Sequence, residues 1–234
     1  MISVVIPARN EAPTLGETLA VLRACTPRDA GEVIVAVGGS TDNTAAVAAR
    51  GAYVVHGADA TRAGLLNAGA HAAQGSVLLF LHADTLPPAD YVTAIGSALT
   101  DPLVVGGAFD FEFRERGWQL ATISAINRLR CRLTRNFYGD QGIFVRRAVF
   151  ERLGGFPRRQ LFEDLVFSQA MRRAGRTVFL RGRRVRTSGR RLLAPDWRRS
   201  VGLITWLLAL HTLGRDTDAY ASRYHAPRIA GRVG

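Results

Sequence analysis

The sequence predicts an α/β fold with a mostly parallel central sheet and helices on both faces. Three observations lead there. Short β-branched runs alternate with Ala-rich helical patterns over the first hundred residues, the mark of a βαβ succession. A chain of 234 residues with 47% hydrophobic content is large and apolar enough to bury a full core. No Pro- or Ser-rich linker, internal repeat or low-complexity tract divides it, so a single domain over residues 1–234 is expected.

The elements follow in order. Strands are expected at residues 3–6, where Pro7 interrupts the apolar run, and at 32–37, 52–56 and 77–81. Helices fill the gaps at roughly residues 12–24, 43–50, 62–73 and 88–99. The second of these has a clear start signal, because Ser40, Thr41 and Asp42 can each cap the free N–H groups of a helix beginning near Asn43. After residue 100 the rhythm changes to a strand at 104–113, a helix at about 118–134, a polar loop and a strand at 143–147. A helix at about 163–174, a strand at 177–180, an Arg-rich loop and a final helix near 197–213 complete the pattern.

Charge is distributed unevenly. The formal net charge is +12, and every basic side chain is Arg. Residues 1–113 carry 5 Arg against 11 acids, whereas residues 114–234 carry 26 Arg against 8 acids. The carboxyl half is therefore the part suited to meet an anion. Cys25 and Cys131 are too few for a disulfide scaffold and lack the paired spacing of a zinc site, which fits a reducing compartment. The amino terminus has neither a basic leader nor a long apolar segment. The longest apolar stretch, residues 201–214, falls short of the roughly 20 residues of a spanning helix. A cytoplasmic location, including the inner face of the membrane, is the expectation.

Three polar segments stand at the ends of apolar runs, where an open parallel sheet binds its ligands. Pro7-Ala8-Arg9-Asn10-Glu11 follows the first strand, and Gly38-Gly39-Ser40-Thr41-Asp42 follows the second. Glycine there lets backbone N–H groups approach a phosphate or ribose. The third, Leu81-His82-Ala83-Asp84, ends a very apolar strand. If the strand continues, His82 and Asp84 point the same way and face one cation, with substrate phosphates and water completing the shell of Mg2+ or Mn2+.

Together these segments resemble the family 2 glycosyltransferases of GT-A fold, a single Rossmann-like domain. The likeness extends through Arg62, Asn67-Ala68-Gly69-Ala70, Gly139-Asp140-Gln141-Gly142, Leu153-Gly154-Gly155-Phe156 and Phe162-Glu163-Asp164, in family order from residue 3 to about residue 191. The bacterial subgroup with His-Ala-Asp-Thr at the metal position is the nearest in pattern. The resemblance implies a nucleotide-binding half at 1–100, an acceptor and catalytic half at 101–195, and a terminal helix and tail at 196–234.

It also implies roles. Pro7, Ala8 and Glu11 would line the nucleoside pocket, and Gly39 would lie near the base or ribose. Arg62 would contact the nucleotide, and Asp84, with His82 and Ala83 beside it, would meet the metal and diphosphate. Asp164 would be the catalytic base, with Glu163 and Gln141 on the acceptor side. Val37 stands where the family usually has an Asp that hydrogen-bonds the base. Many relatives carry a metal-ligating His near residues 188–191; Ser188, Arg190 and Arg191 stand here instead. Arg190 or Arg191 would neutralise diphosphate charge, since guanidinium binds phosphate bidentately. The donor expected is a UDP-sugar first and a GDP-sugar second, with a divalent cation as cofactor and an acceptor of the lipid-linked kind among the candidates.

Other classes are disfavoured. No P-loop, nucleophile elbow, paired-Cys motif or dinucleotide fingerprint is present. The Arg run at 181–191 lacks the interleaved aromatics of a nucleic-acid surface. The alternatives are a nucleotidyltransferase and a catalytically silent nucleotide-sugar-binding protein. The final helix sets Arg198 and Arg199 beside a Trp-bearing apolar run. That pattern describes a core-covering helix first, and a peripheral membrane contact or a homodimer contact second.

Overall fold

A computed structural model of the chain describes residues 1–222. Four βα units come first: β1 (Ile2–Ala8), α1 (Ala12–Cys25), β2 (Gly31–Val37), α2 (Thr44–Ala48), β3 (Tyr53–His56), α3 (Arg62–Ala72), β4 (Val77–Phe80) and α4 (Tyr91–Ala98). The second half holds β5 (Val104–Phe113), α5 (Trp118–Thr134), β6 (Ile143–Arg146), α6 (Arg147–Arg152), α7 (Glu163–Ala174), β7 (Arg176–Thr187), α8 (Arg190–Leu193) and α9 (Trp197–Thr212). One seven-stranded sheet runs in the order β3-β2-β1-β4-β6-β5-β7. The β1–β2, β2–β3, β1–β4 and β5–β7 pairs are parallel, and β6 lies antiparallel between β4 and β5.

Period-two alternation explains the layers. Val4 and Ile6 of β1 join Leu15, Leu19 and Leu22 of α1 in the core on one face. Val5 points the other way, with Ala63, Leu66 and Ala70 of α3. That second core continues into an aromatic knot, where Phe80 meets Phe156 edge-on at 4.8 Å and Phe156 lies 4.5 Å from Phe167. Such pairs add stability beyond their burial.

The structure departs from the sequence pattern in several places, among them α8, where no helix was expected. The stretch expected as an Arg-rich loop is strand: β7 runs to Thr187, with Gly182 at φ 76° and a register break between the Phe109–Leu180 and Asp110–Arg184 pairs. Past that irregularity the residues alternate, Val185 and Thr187 buried, Arg184 and Arg186 exposed. The helix expected from residue 43 is only one turn or so long, and Asp42 supplies its start, accepting 3.0 Å from the Thr44 N–H. The helix expected from residue 88 begins at Tyr91. Helix α6 had no expectation at all. Helix α9 covers only a small third core, in which Leu207 packs with Leu161 and Ala221. Both cysteines are free thiols. Among the described residues no helix is long and apolar enough to cross a membrane.

Candidate active site

The first two polar segments clasp one another beyond the carboxyl ends of β1 and β2. Asn10, at φ 55°, turns the chain and accepts 2.8 Å from the Thr41 N–H. The Glu11 N–H donates to Thr44 Oγ1 at 2.9 Å, and the Ala12 N–H donates to Asp42 Oδ2 at 3.2 Å. The Thr44 hydroxyl holds the Asp42 carboxyl below its ordinary range. Asn10 thus ties the loop after β1 to the loop after β2. Pro7 is half-buried and Ala8 fully buried. Val37 faces the core beside them, so the floor of this pocket is apolar. Gly39 takes φ 63°, and a side chain there would approach Ala60 Cβ at 3.3 Å and Arg9 Nε at 3.5 Å.

The third segment is a turn. Strand β4 ends at Phe80, and the Thr85 N–H donates to the His82 carbonyl at 3.2 Å. Strand alternation therefore does not reach His82 and Asp84, and the expected common facing is replaced by separate partners. His82 Nε2 contacts the Arg62 guanidinium, whereas the Asp84 carboxylate lies 3.9 Å from Arg190 Nη2. Ala83 is anchored from below, its carbonyl accepting 2.8 Å from Thr18 Oγ1. Thr85 Oγ1 donates to Thr187 Oγ1 at 3.0 Å, and Leu86 bridges to Arg186. These links bring Arg190 over Asp84. Arg191 follows in α8, with its side chain outside the described set.

The carboxylates of α7 meet the same place from the opposite side. Phe162, at φ 60°, turns the chain so that α7 starts on Glu163 and Asp164. Arg62 Nε lies 3.1 Å from Glu163 Oε1, whose side chain is 5% exposed. Burial pushes the Glu163 carboxyl up to about 7 against the pull of Arg62. Asp164 Oδ2 accepts the Gly139 N–H at 2.6 Å and Oδ1 accepts the Leu165 N–H at 2.7 Å. Gly139 is where the groups converge: a Cβ there would strike Arg62, and would stand 2.9 Å from His82 Nε2 and 3.1 Å from Asp164 Oδ2. Only glycine leaves room for all three.

Beside it, burial and then the Asp164 charge push Asp140 up to about 6. Its Oδ1 is buried and has no hydrogen-bond partner among the described residues. Gln141 is fully buried. Its amide accepts the Tyr138 N–H at 3.0 Å and donates to the Phe109 carbonyl at 3.4 Å, an internal brace and not an acceptor contact. Gly139 and Asp140 were visible in the sequence only as parts of a motif. What no pattern disclosed is that Gly139 lies where Arg62, His82 and Asp164 meet.

A cleft of about 380 Å³ adjoins the basin, lined by Phe113, Glu115, Arg116, Leu120, Arg128 and Arg184. The Gly189 N–H, donating to Glu115 Oε2 at 2.6 Å, separates it from Arg190. Neither this cleft nor a second one of about 410 Å³, near His71 and Arg158, is lined by a residue expected at the site. The expected side chains gather instead around Asp84 and Gly139. Among the described residues no three His, Cys, Asp or Glu side chains form a complete metal cage. The half-buried Asp84 carboxylate suits Mg2+ or Mn2+, since such ions are held by one or two carboxylates plus substrate phosphates.

Carboxylates and arginines gather at the carboxyl ends of a mostly parallel sheet, where α/β enzymes bind their ligands. The chain belongs to the family described as Glycosyl transferase family 2, whose model matches residues 3–154, and it is a glycosyltransferase with the GT-A architecture. A mannosyltransferase of Pyrobaculum calidifontis, solved with GDP-Man and Mn2+, is 24% identical with TM-score 0.67, over 96% of this chain and 68% of that one. TarS 1-349 of S. aureus is 17% identical with TM-score 0.65, over 96% and 69%. Glucosyl-3-phosphoglycerate synthase of Mycobacterium tuberculosis, solved with Mn2+, UDP and glucosyl-3-phosphoglycerate, is 20% identical with TM-score 0.60, over 92% and 81%. No curated protein sequence matches the chain.

Proposed function

We propose that this chain is an inverting, divalent-cation-dependent glycosyltransferase that moves a sugar from a nucleoside-diphosphate donor to an acceptor hydroxyl, and that it belongs to the His-Ala-Asp-Thr subgroup. The observation that carries this is the meeting of His82, Arg62 and Asp164 around Gly139, with Asp84 under Arg190 two residues from His82. A donor seated between the Pro7–Glu11 segment and Arg190 would set its diphosphate at Asp84 and its sugar toward Asp164.

Transfer breaks the bond from the anomeric carbon to the diphosphate oxygen, through a transition state of oxocarbenium character. A divalent cation at Asp84 supplies positive charge beside the leaving group. Arg62, held by Glu163, and Arg190 or Arg191 add positive charge where the negative charge grows. Asp164 takes the acceptor hydroxyl proton as that oxygen bonds the anomeric carbon from the face opposite the diphosphate, which inverts the stereochemistry. A positioned base of this kind supplies about 10²–10⁴-fold in rate. Glu163 holds Arg62 in place from the buried side. His82 orients the same guanidinium.

The floor formed by Val37 offers no hydrogen bond to a base, so discrimination between uracil and guanine falls to the backbone around Gly39 and Glu11. Nucleotide-sugar-bound neighbours include UDP, UDP-GlcNAc and GDP-Man complexes, which supports a UDP-sugar or a GDP-sugar donor. The 380 Å³ cleft beside Gly189 is the acceptor side of the reading, and an intracellular, lipid-linked acceptor fits its mixture of Phe113, Leu120 and arginines. The test is the Asp164→Asn variant: donor binding is retained and transfer falls by about 10²–10⁴-fold. Undiminished turnover overturns the assignment of the base; a wild type that binds donor without any turnover overturns the proposed activity and leaves a silent binding protein.

A further inference from the structure

We propose that the outer face of α5 is a docking surface for an anionic lipid bilayer. The inner side of this helix is ordinary, with Leu120, Ser124, Asn127 and Cys131 buried at helical spacing. The opposite side should be polar. It presents Trp118, Thr122, Ala125, Ile126, Leu129 and Leu133, of which Trp118 is 70%, Ile126 63%, Leu129 57% and Leu133 75% exposed. A continuous apolar stripe of this size on the outside of a helix marks an interaction surface.

Charge decides what it meets. On the helical wheel the exposed Arg132 flanks the stripe on one side, while Arg130 on the other turns inward, stacked on Tyr138 at 3.7 Å and donating to Asn127 Oδ1, the Asn136 carbonyl and Gln141 Oε1. Arg116 is exposed just before the helix, and no acidic residue occurs between residues 116 and 139. Trp118 packs edge-on against Trp197 at 6.1 Å, which brings the exposed Arg198 and Arg199 of α9 to the same end. A second copy would present the same surface under two-fold symmetry, setting one arginine rim against another. An anionic headgroup layer complements the rim while its acyl boundary takes the stripe, as for interfacial helices with Trp and Leu on one face and Arg on the other. The inference stands apart from the catalytic assignment and moves the membrane contact expected at α9 to α5.

The experiment is flotation of the full chain with phosphatidylcholine vesicles and with vesicles containing phosphatidylglycerol. Wild type floats with the anionic vesicles and stays behind with the neutral ones. Leu129→Ser/Leu133→Ser abolishes flotation, and Arg132→Glu weakens it by about fivefold or more, with unchanged circular dichroism and nucleotide-dependent thermal shift in both variants. Binding that ignores headgroup charge, or that survives the double serine variant, overturns the proposal. So does a concentration-dependent dimer in sedimentation that the double serine variant abolishes, because a second copy would then own the face.

Discussion

At the scale of single residues, the site rests on carboxyl groups placed in unlike surroundings. Asp84 lies beside an arginine at a surface turn, Asp164 accepts two backbone N–H groups, and Glu163 and Asp140 are enclosed. Enclosure gives a pH signature with a definite sign. Glu163 rises from 4.5 to about 7 and Asp140 from 3.8 to about 6 in the folded chain. The stability these groups contribute is therefore complete below their unfolded values and is lost as pH rises through about 6 to 7. Thermal denaturation should show the melting temperature falling between pH 5 and pH 8, and Glu163→Gln should flatten that fall. A slope untouched by the substitution would assign the effect elsewhere. Gly139→Ala makes a second residue-scale prediction: its methyl displaces Arg62, so donor affinity falls while the fold persists. Equal affinity for the alanine variant would show that the guanidinium position is immaterial. His82 and Asp84 were legible as a pair in the sequence, but their facing was not. That depended on where β4 stops, and four apolar residues followed by a turn look the same as a longer strand.

At the scale of elements, the alternating first half was readable because each strand is a β-branched run and each helix an Ala-rich one. Strand β7 was readable only over residues 177–180; beyond them Arg181, Arg183, Arg184 and Arg186 hide a two-residue alternation under a charge run, and a register break at Gly182 interrupts it further. The pairing that charge conceals is held by close backbone approach. A Cβ at Gly107 would meet the Val178 carbonyl and would stand 2.8 Å from its side chain and 2.9 Å from Phe144 Cζ. Gly107→Ala should therefore open the β5–β7 edge and lower the melting temperature by about 5 °C or more. A wild-type melting curve would show that the sheet yields easily there. Phe167→Ala, in the aromatic knot behind α7, should cost about 3–5 kcal/mol in denaturant unfolding, and it would loosen the helix that carries Asp164. A loss under about 1 kcal/mol would mean the knot repacks.

At the scale of the molecule, the acidic first half and the arginine-rich second half both supply side chains to the candidate site. The family could be recognised because its motifs are short runs spread over both halves in a fixed order. The convergence at Gly139 could not, since it joins Arg62 and His82 of the first half to Gly139 and Asp164 of the second, and no local pattern records that meeting. The central claim is that Asp84 and a divalent cation together hold the donor diphosphate. Calorimetric titration of UDP and of GDP into wild type and Asp84→Asn, with Mn2+ and with chelator, tests it most directly. The account predicts saturable binding of at least one of them to wild type only with Mn2+. It also predicts a loss in Asp84→Asn at least as large as the about 10–100-fold that follows removal of an outer-shell metal partner. Equal affinity in the variant, or binding indifferent to Mn2+, would contradict it.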